Sequence, residues 1–357
     1  MLSKQKIKKH LGIGVKNMTY KEIIEKAKDC MGFCKACIIC NGKVCKNIMP
    51  GPGAKGIGDA AIRNYDKWKE IRLNIDTICS NENIDTSFEL FGRKFKYPIF
   101  AGPVGAVKLH YGDKYTDEEY NDILVKSCSD AKIAAFTGDG INPNVMIAAT
   151  TMIKKQNGIG IPTIKPWNME LIEEKMKLVN DSNAFAVAMD IDGAGLPFLK
   201  NLTPKAGSKT VEELIKIKEI ANKPFIIKGI MTVKGAKKAV EAGADAIVVS
   251  NHGGRVLDQC VATAEVLPEI VDAVKDKIKI LVDGGIRSGA DILKALSIGA
   301  DGVLIARTFV IALYGGGEEG VKSYINQLGC ELEDAMEMCG VHNLKEIKEN
   351  GRELIRL

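Results

Sequence analysis

From about Tyr97 onward, short apolar runs rich in β-branched residues alternate with stretches of helical periodicity. Eight such runs lie at residues 97–101, 132–136, 158–164, 185–189, 224–228, 246–249, 278–282 and 302–305. Each run is mostly apolar and does not alternate with polar residues, which predicts a strand buried on both faces, as in parallel sheets covered by helices. Between the runs, residues 210–221 begin with a capping threonine, and residues 233–242 and 290–298 each end at a glycine, as helices do.

Eight β/α units in about 260 residues favour a closed (β/α)8 TIM barrel, with an open doubly wound sheet as the alternative. Residues up to Asp59 have a different character, because they lack apolar periodicity and hold five cysteines followed by a Pro/Gly-rich link. We therefore expect an α/β protein in two parts. A short cysteine-rich N-terminal segment covers residues 1–59, and the barrel covers residues 60–357.

Composition excludes several classes of protein. The chain has 50 basic and 45 acidic residues, and its net charge of +5 is too diffuse for a nucleic-acid interface. No apolar run approaches the roughly 20 residues of a membrane-spanning helix, and no apolar stretch with a small-residue cleavage site follows the basic N-terminus. We expect a cytoplasmic protein that forms a homo-oligomer, with no nucleic-acid or membrane partner.

Polar and glycine-rich residues follow every predicted strand. They lie at 102–105, 137–139, 163–165, 190–192, 250–252 and 283–285, together with Lys228 and Arg307. Because active sites of this fold lie at the carboxyl ends of the strands, these positions predict the site of chemistry.

The seventh and eighth strands carry the clearest ligand signal. The run DGGIRSG (residues 283–289) has two glycines, at which a backbone can approach a ligand closely, then an arginine and the start of a helix. Ala306 and Arg307 follow the eighth strand. These loops commonly hold a phosphate group in a barrel of this type, although the glycines could instead only turn the chain and the arginines form surface ion pairs.

The fifth and sixth strands end in a candidate catalytic group. Lys228 closes a buried strand, so its ammonium either reaches the rim or faces the barrel mouth as a fixed cation. In the run SNHGGRVLD, His252 is the only histidine at a strand end in so polar a context, and Arg255 follows three residues later. An imidazole base beside a guanidinium that can bind a carboxylate suits the oxidation of a hydroxy acid.

Three segments together resemble one known family. They read IIKGIMTVKGAKKAVEAGADAIVVSNHGGRVLD, ATAEVLPEIVDAV and ILVDGGIRSGADILKALSIGADGVLIAR. They are similar to the C-terminal half of the FMN-dependent α-hydroxy-acid dehydrogenase/oxidase family, to which glycolate and lactate oxidases belong. The similarity is strong over residues 224–346 and weaker back to residue 91. It implies an enzyme that uses FMN to oxidise a small, lactate- or glycolate-like α-hydroxy acid to the 2-oxo acid.

The resemblance also implies roles for individual residues. His252 would remove a proton from the substrate, Arg255 would hold its carboxylate, and Lys228 would lie beside the N1/O2 edge of the flavin. Ser250 would contact the flavin, and Asp283 would bind the ribityl chain. The phosphate of the cofactor would be held by Gly284, Gly285, Arg287, Ala306 and Arg307. Pro103, Val104 and Gly105 would line the N5 side of the flavin, and Thr137 and Thr163 are looser matches to polar cofactor contacts.

The chain departs from the family pattern near the expected substrate. Lys165 stands where the family has an active-site tyrosine, and no arginine follows the aspartate of the fourth strand. We expect Lys165 to assist Arg255 and His252 in substrate binding. The alternatives are another FMN-barrel reaction of the type-2 isopentenyl-diphosphate isomerase kind, which the HGGR run disfavours, and a flavin redox sensor or electron-transfer module. The electron acceptor is unknown.

The N-terminal cysteines are spaced C-x3-C-x2-C-x2-C-x4-C from Cys30 to Cys45. We expect Cys34, Cys37, Cys40 and Cys45 to bind one metal centre, either an iron–sulfur cluster or zinc, with Cys30 spare. Ordinary reduced thiols are the alternative. The radical S-adenosylmethionine interpretation is disfavoured because the cysteines precede the first barrel strand. The glycines at 51–56 do not follow a strand, so they do not form a dinucleotide fingerprint.

Overall fold

The computed structural model describes residues 18–196, 199, 201–202 and 206–357. Residues 1–17, with which the predicted cysteine-rich segment begins, lie outside this range. The described strands are β1 (Arg72–Leu73), β2 (Phe88–Leu90), β3 (Arg93–Phe95), β4 (Ile99–Ala101), β5 (Ala134–Thr137), β6 (Ile161–Ile164), β7 (Val187–Asp190), β8 (Phe225–Ile230), β9 (Ala246–Val249), β10 (Lys279–Val282), β11 (Gly302–Ile305) and β12 (Ile355–Arg356).

Strands β4 to β11 form a closed parallel barrel in sequence order, because β11 pairs with β4 and completes the ring. All eight predicted strands are present, with bounds that shift by one to three residues at some ends. The predicted (β/α)8 TIM barrel is therefore confirmed.

Helices alternate with these strands and surround them. The described helices are α1 (Tyr20–Lys28), α2 (Asp59–Glu70), α3 (Val107–Tyr111), α4 (Asp117–Asp130), α5 (Pro143–Lys155), α6 (Met169–Asp181), α7 (Val211–Ala221), α8 (Val233–Glu241), α9 (Thr263–Val274), α10 (Gly289–Ile298), α11 (Arg307–Met338, interrupted at Gly317) and α12 (Leu344–Asn350). As predicted, Thr210 caps α7, and its side chain accepts a hydrogen bond from the Glu213 N–H. Throughout the described ranges, no helix is both long enough and apolar enough to cross a membrane.

The barrel interior is filled with apolar side chains, and its amino-terminal end is closed. The antiparallel pair β2–β3 brings Phe88 and Phe95 against Phe100 inside the barrel, with ring centroids 6.1 and 5.5 Å apart. Phe100 in turn meets Phe136 edge to face at 5.7 Å. Because this end is packed, a ligand can enter only at the carboxyl ends of the strands.

The N-terminal part contains more regular structure than its sequence indicated. Helix α1 buries Ile23, Ile24 and Ala27, and the Tyr20 ring stacks on Tyr324 of α11 with centroids 4.8 Å apart. The following residues 30–58, which we call the cysteine lobe, contain neither helix nor strand. This lobe lies between α1 and α2 in the chain and reaches the barrel mouth.

A buried pair of amides anchors α2 to the barrel. Asn64 and Asn251 exchange side-chain hydrogen bonds of 2.7 and 3.0 Å, and the Thr263 N–H also donates to Asn64 Oδ1 at 3.1 Å. Both amides are almost completely buried, so neither can use water as a substitute partner.

Replacing Asn64 with Ala should therefore lower the free energy of unfolding by about 1–3 kcal/mol, because buried partners lose their hydrogen bonds. Urea denaturation followed by circular dichroism measures the change. The exposed Asn144 offers a matched control, whose replacement by Ala should change stability by less than about 0.5 kcal/mol. Equal losses in the two variants would contradict this account of the anchor.

Candidate active site

A cavity of about 830 Å³ opens at the carboxyl ends of the barrel strands. This volume is suitable for a small-molecule ligand or cofactor. Most of the predicted site residues line it: Pro103, Val104, Gly105, Thr163, Lys165, Lys228, His252, Arg255, Asp283, Gly284, Gly285, Arg287, Ala306 and Arg307. Thr137 and Ser250 are completely buried and do not line the cavity, although Ser250 accepts a hydrogen bond from Lys228.

Lys228 is held in the barrel by a local irregularity of β8. The register between β8 and β9 shifts between Lys228 and Ile230, around Gly229, whose φ is +103°. A Cβ at Gly229 would lie 2.6 Å from the Asp192 side chain, so only glycine fits here. The Lys-Gly pair of the sequence therefore places a lysine beside a carboxylate.

The buried Lys228 ammonium is balanced by hydrogen bonds and carboxylates. Its Nζ donates to Ser250 Oγ at 2.8 Å and lies 3.2 Å from Asp283 Oδ2. Burial alone would lower the pKa of Lys228. The negative charges of Asp283, Asp192 and Asp190 outweigh burial and raise this pKa above its usual value, so the group stays a cation.

His252 lies in a tight turn at the end of β9. The φ values of His252, Gly253 and Gly254 are 56°, 63° and 80°, which place all three residues in the left-handed region. This conformation is uncommon for a residue other than glycine, such as His252. The turn places the imidazole Nδ1 2.9 Å from Asp192 Oδ1. Burial, and then the cations of Lys228 and Lys165, lower the pKa of His252 well below its usual value.

The His252–Asp192 contact determines which imidazole nitrogen is free. A carboxylate can only accept, so Nδ1 carries the proton and Nε2 presents its lone pair. Burial raises the pKa of Asp192, whereas Lys228 and Lys165 oppose that shift. The site thus contains a neutral imidazole with a carboxylate behind it.

Lys165, the predicted substrate-binding lysine, reaches the cavity but is already paired. Its ammonium donates to Asp190 Oδ2 at 2.5 Å, and both side chains are nearly buried. Ligand atoms of Asp190, Asp192 and His252 lie within 4.8 Å of one another, which is close enough to hold a metal ion. Because Lys165 already neutralises one of these carboxylates, we interpret the cluster as a proton-transfer site and not as a metal site.

Three arginines meet the cysteine lobe at the cavity rim. Arg255 Nη1 donates to the carbonyls of Gly51 and Gly53 at 2.6 and 2.7 Å. Arg307 Nε donates to the Pro52 carbonyl at 2.9 Å, and Arg287 Nε to the Cys40 carbonyl at 2.9 Å. Carbonyls carry no net charge. Across the described residues, none of the three guanidiniums forms an ion pair with a carboxylate, so the rim stays positive and suits an anion.

The sequence analysis missed several cavity residues, among them a histidine and a tyrosine. His110 and Tyr111 belong to the short helix α3 and line the cavity, and His110 Nδ1 accepts a hydrogen bond from the Gly51 N–H at 3.0 Å. Burial raises the pKa of Tyr111 to about 12, so its hydroxyl remains a donor. Neither residue directly follows a barrel strand, and for that reason strand-end reasoning passed over both.

Two residues of the cavity wall have buried polar atoms without a partner. Within the described residues, the hydroxyl of Thr163 and the Oδ1 atom of Asp283 have no hydrogen-bond partner. Buried polar groups are normally satisfied, so these two atoms are suited to contact a polar ligand in the cavity. Together with the positive rim at Arg287 and Arg307, they fit a phosphate-bearing cofactor such as FMN.

The five cysteines of the lobe divide into two groups. The Cys30 sulfur lies 3.3–3.5 Å from the carbonyl oxygens of Lys26, Ala27 and Tyr314, any one of which can accept its single hydrogen. Burial raises the pKa of Cys34 to about 12; a hydrogen bond from Ala36 opposes this, and the thiols of Cys40, Cys45 and Cys37 add to it. The four predicted ligands thus affect one another electrostatically, and all ten cysteines of the chain are free thiols.

Comparison with known families gives a match over most of the chain. The sequence matches the profile described as FMN-dependent dehydrogenase over residues 52–197 and 146–353.

Individual relatives agree with this match. A 2-hydroxyacid oxidase of Dictyostelium discoideum is 45% identical over 80% of this chain and 80% of that protein. An FMN-dependent alpha-hydroxy acid dehydrogenase of Penicillium citrinum is 27% identical over 87% of this chain and 85% of that protein. An L-lactate dehydrogenase of Pectobacterium atrosepticum is 48% identical over only 39% of this chain and 36% of its own length. Among solved structures, mandelate oxidase with 3,3-difluoro-2-hydroxy-3-phenylpropionic acid superposes with a TM-score of 0.72 at 25% identity, covering 93% and 97% of the two chains.

The environment of His110 leads to a pH-dependent prediction. Burial, Arg255 and Lys165 lower the pKa of His110 to about 4, whereas an unfolded histidine titrates near pH 6.5. The unfolded chain therefore binds more protons between pH 6.5 and about 4, and the stability that neutral His110 contributes is lost as the pH falls through that window. The stability advantage of the wild type over His110→Gln in urea unfolding should shrink from pH 7 to pH 4. A constant difference would contradict the prediction, and an NMR titration of His110 reads its pKa directly.

Proposed function

Since the chain belongs to the FMN-dependent dehydrogenase family, we propose that it oxidises a small α-hydroxy acid to the corresponding 2-oxo acid with FMN as cofactor. The observation that carries the proposal is the pairing of His252 with Asp192 in the cavity that Arg255 also lines. This arrangement joins a proton acceptor to a group that binds carboxylates, and the oxidation of a hydroxy acid requires both.

In the proposed reaction, His252 Nε2 takes the proton that the substrate releases. The lowered pKa of His252 keeps the ring neutral and ready to accept at neutral pH. Once protonated, the imidazolium is stabilised by Asp192, whose Oδ1 lies 2.9 Å from Nδ1. Asp192 is therefore a positioning residue that orients the ring and balances its charge.

The substrate carboxylate is assigned to Arg255. Its Nη1 is occupied by the carbonyls of Gly51 and Gly53, which leaves Nε and Nη2 for a two-pronged contact with a carboxylate. Burial is the main cause that lowers the pKa of Arg255, to about 10, so the guanidinium is still charged at neutral pH. Tyr111 lines the same cavity and can donate a further hydrogen bond. Lys165 is paired with Asp190 and contributes less positive charge than a free ammonium would.

FMN is assigned to the inner part of the cavity. Bound there, it supplies the two-electron acceptor of the reaction. Arg287, Arg307 and the backbone of Gly284 and Gly285 would hold its phosphate, with Ala306 adjacent. Asp283, with one partnerless oxygen, and Thr163 would hold polar parts of the cofactor. The cation of Lys228 would favour the negative charge of its reduced form. Pro103 to Gly105 line the opposite wall.

We further propose a metal centre, a cellular location and an oligomeric state for this protein. Cys34, Cys37, Cys40 and Cys45 are assigned to one metal centre, and the protein to the cytoplasm, for which ten free thiols are suitable. We also propose that the protein forms a homo-oligomer.

A panel of hydroxy acids tests the proposed reaction. The purified protein should be yellow, release FMN and not FAD on denaturation, and bleach under anaerobic conditions with at least one small α-hydroxy acid. Stopped-flow absorbance follows the bleaching, and 2-hydroxy acid amides, which lack the carboxylate, serve as controls that should react poorly. A colourless protein that cannot be reconstituted with FMN, or a flavin that no hydroxy acid reduces, would overturn the proposal.

The replacement His252→Ala separates proton removal from cofactor binding. FMN should remain bound, and the rate of flavin reduction at saturating substrate should fall roughly 10²–10⁴-fold, as is usual when a general base is lost. Arg255→Lys should instead mainly raise the apparent substrate dissociation constant, because an ammonium cannot make the two-pronged contact. Unchanged reduction in His252→Ala would place the base elsewhere.

A further inference from the structure

The cysteine lobe is a long irregular segment that its own side chains do little to stabilise. It runs for 29 residues without helix or strand, and segments of that length inside a compact domain are unusual unless they are functional. Few of its apolar side chains are buried, among them Met31, Ala36 and Ala54. Small units with so little burial are usually held together by a metal or by disulfides, and none of these cysteines is in a disulfide.

The arrangement of the thiols indicates the type of metal centre. Zinc bound by four cysteines has Zn–S distances of about 2.3 Å, which brings the sulfurs to within about 4 Å of one another. Within the described part of the chain, no three of the lobe thiols come within 4.8 Å of one another. Along the chain, however, the four cysteines follow one another at intervals of three, three and five residues, which resembles the closely spaced cysteine runs that bind iron–sulfur clusters. A [4Fe–4S] cluster spreads its four cysteine ligands over more space than a single zinc ion does, so the cluster is the better match to these thiols.

The same thiols lie next to the proposed flavin site. The Cys40 carbonyl accepts from Arg287, a residue of the proposed phosphate cradle. Cys45 lies near the charges of Arg307 and Arg255, which both line the cavity. A Cβ at Gly53 would lie 1.9 Å from the Cys45 carbonyl, so the loop that binds Arg255 packs directly on the cysteine backbone. A redox centre held by these cysteines would therefore adjoin the cavity.

The outer surface of the lobe is apolar and basic. Phe33, Ile38, Ile39, Val44 and Ile57 are 46–69% exposed, although they lie within 25 residues of one another. Residues 30–58 contain four lysines and no acidic residue, and Lys35, Lys43 and Lys46 are exposed. Exposed apolar side chains interspersed with charges are typical of a protein-binding surface, and charges of one sign select a partner of the other.

We propose that the cysteine lobe holds an iron–sulfur cluster, bound by Cys34, Cys37, Cys40 and Cys45, that passes electrons from reduced FMN to an acidic one-electron carrier protein docked on the lobe. The proposal rests on the proposed function, which supplies the electrons. Oxidation of one hydroxy acid to the oxo acid releases two electrons and two protons. The electrons leave through the cluster one at a time and reduce two carrier molecules, while the protons pass to solvent.

The first test is of the cluster itself and needs no hydroxy acid. Protein purified without oxygen should contain about four iron and four acid-labile sulfide per chain, and dithionite should produce the electron paramagnetic resonance signal of a reduced cluster. The double variant Cys37→Ser/Cys40→Ser should lose both iron and signal. Cys30→Ser is the matched control and should keep them, because the Cys30 thiol contacts helix carbonyls instead. Stoichiometric zinc without sulfide, or no metal after reconstitution with iron and sulfide, would overturn the proposal.

The second test is of the docking surface. With an acidic c-type cytochrome of positive reduction potential as the carrier, the double charge reversal Lys35→Glu/Lys43→Glu should raise the carrier concentration for half-maximal reduction about tenfold and reduce its dependence on salt. Iron content and the paramagnetic signal should be unchanged. Lys237→Glu/Lys238→Glu, on the exposed face of α8, is the control with the same change in charge and should behave as wild type. Carrier reduction that is equally fast in both reversals would overturn the docking surface.

The two proposals fail in different ways. If no hydroxy acid reduces the flavin but the iron, sulfide and dithionite-induced signal are present, the substrate assignment is wrong and the cluster stands. If a hydroxy acid bleaches the flavin but the protein contains no cluster, the reaction stands and the electron path through the lobe is wrong. A change of oligomeric state in Lys35→Glu/Lys43→Glu, seen by light scattering, would assign the patch to a second copy of the chain and overturn carrier docking.

Discussion

The mutual balance of buried charges at the barrel mouth is the constraint on which the rest of the site depends. Lys228 is almost fully buried among strand ends, and an isolated charge there would cost several kcal/mol. Asp283 and Asp192 offset it, while Asp190 pairs with Lys165. Removing any one of these groups leaves another buried charge with less compensation. The ends of β7, β8 and β10 are therefore coupled through their side chains as well as through the barrel ladder.

This coupling also accounts for the state of His252. Burial, and then the two lysines, disfavour a positive charge on the ring, so the imidazole stays neutral even though a carboxylate lies 2.9 Å away. Asp192 becomes an effective partner only when the ring gains a proton during the reaction. The lysines thus keep the base free in the resting protein, and Asp192 partly offsets the cost of protonating it during the reaction.

Sequence alone predicted the barrel and most of the cavity lining, because both follow from local pattern. A buried parallel strand is a continuous apolar run, and this fold gathers the residues after each run at one end. What sequence missed depends on long-range packing. Asp192 was not identified as the partner of His252, because their contact requires the bulge at Gly229 and the turn after β7 to meet. His110 and Tyr111 were missed because α3 is a short helix that lies over the mouth and does not extend a strand. Lys165 was assigned to the substrate, since no local pattern shows that Asp190 already holds its ammonium.

The arginines at the rim link the lobe to the chemistry of the barrel. Arg255 can present a fixed pair of donors to a carboxylate only if its guanidinium plane is held, and the carbonyls of Gly51 and Gly53 hold it through Nη1. Carbonyls orient the guanidinium and leave its positive charge intact, whereas a carboxylate partner would neutralise that charge. The loop that supplies these carbonyls packs on the backbone of Cys45, so whatever orders the cysteines also orders the carboxylate-binding group. In this chain the N-terminal segment is thus part of the wall of the active site, and a centre bound to its cysteines would influence substrate binding as well as any transfer of electrons.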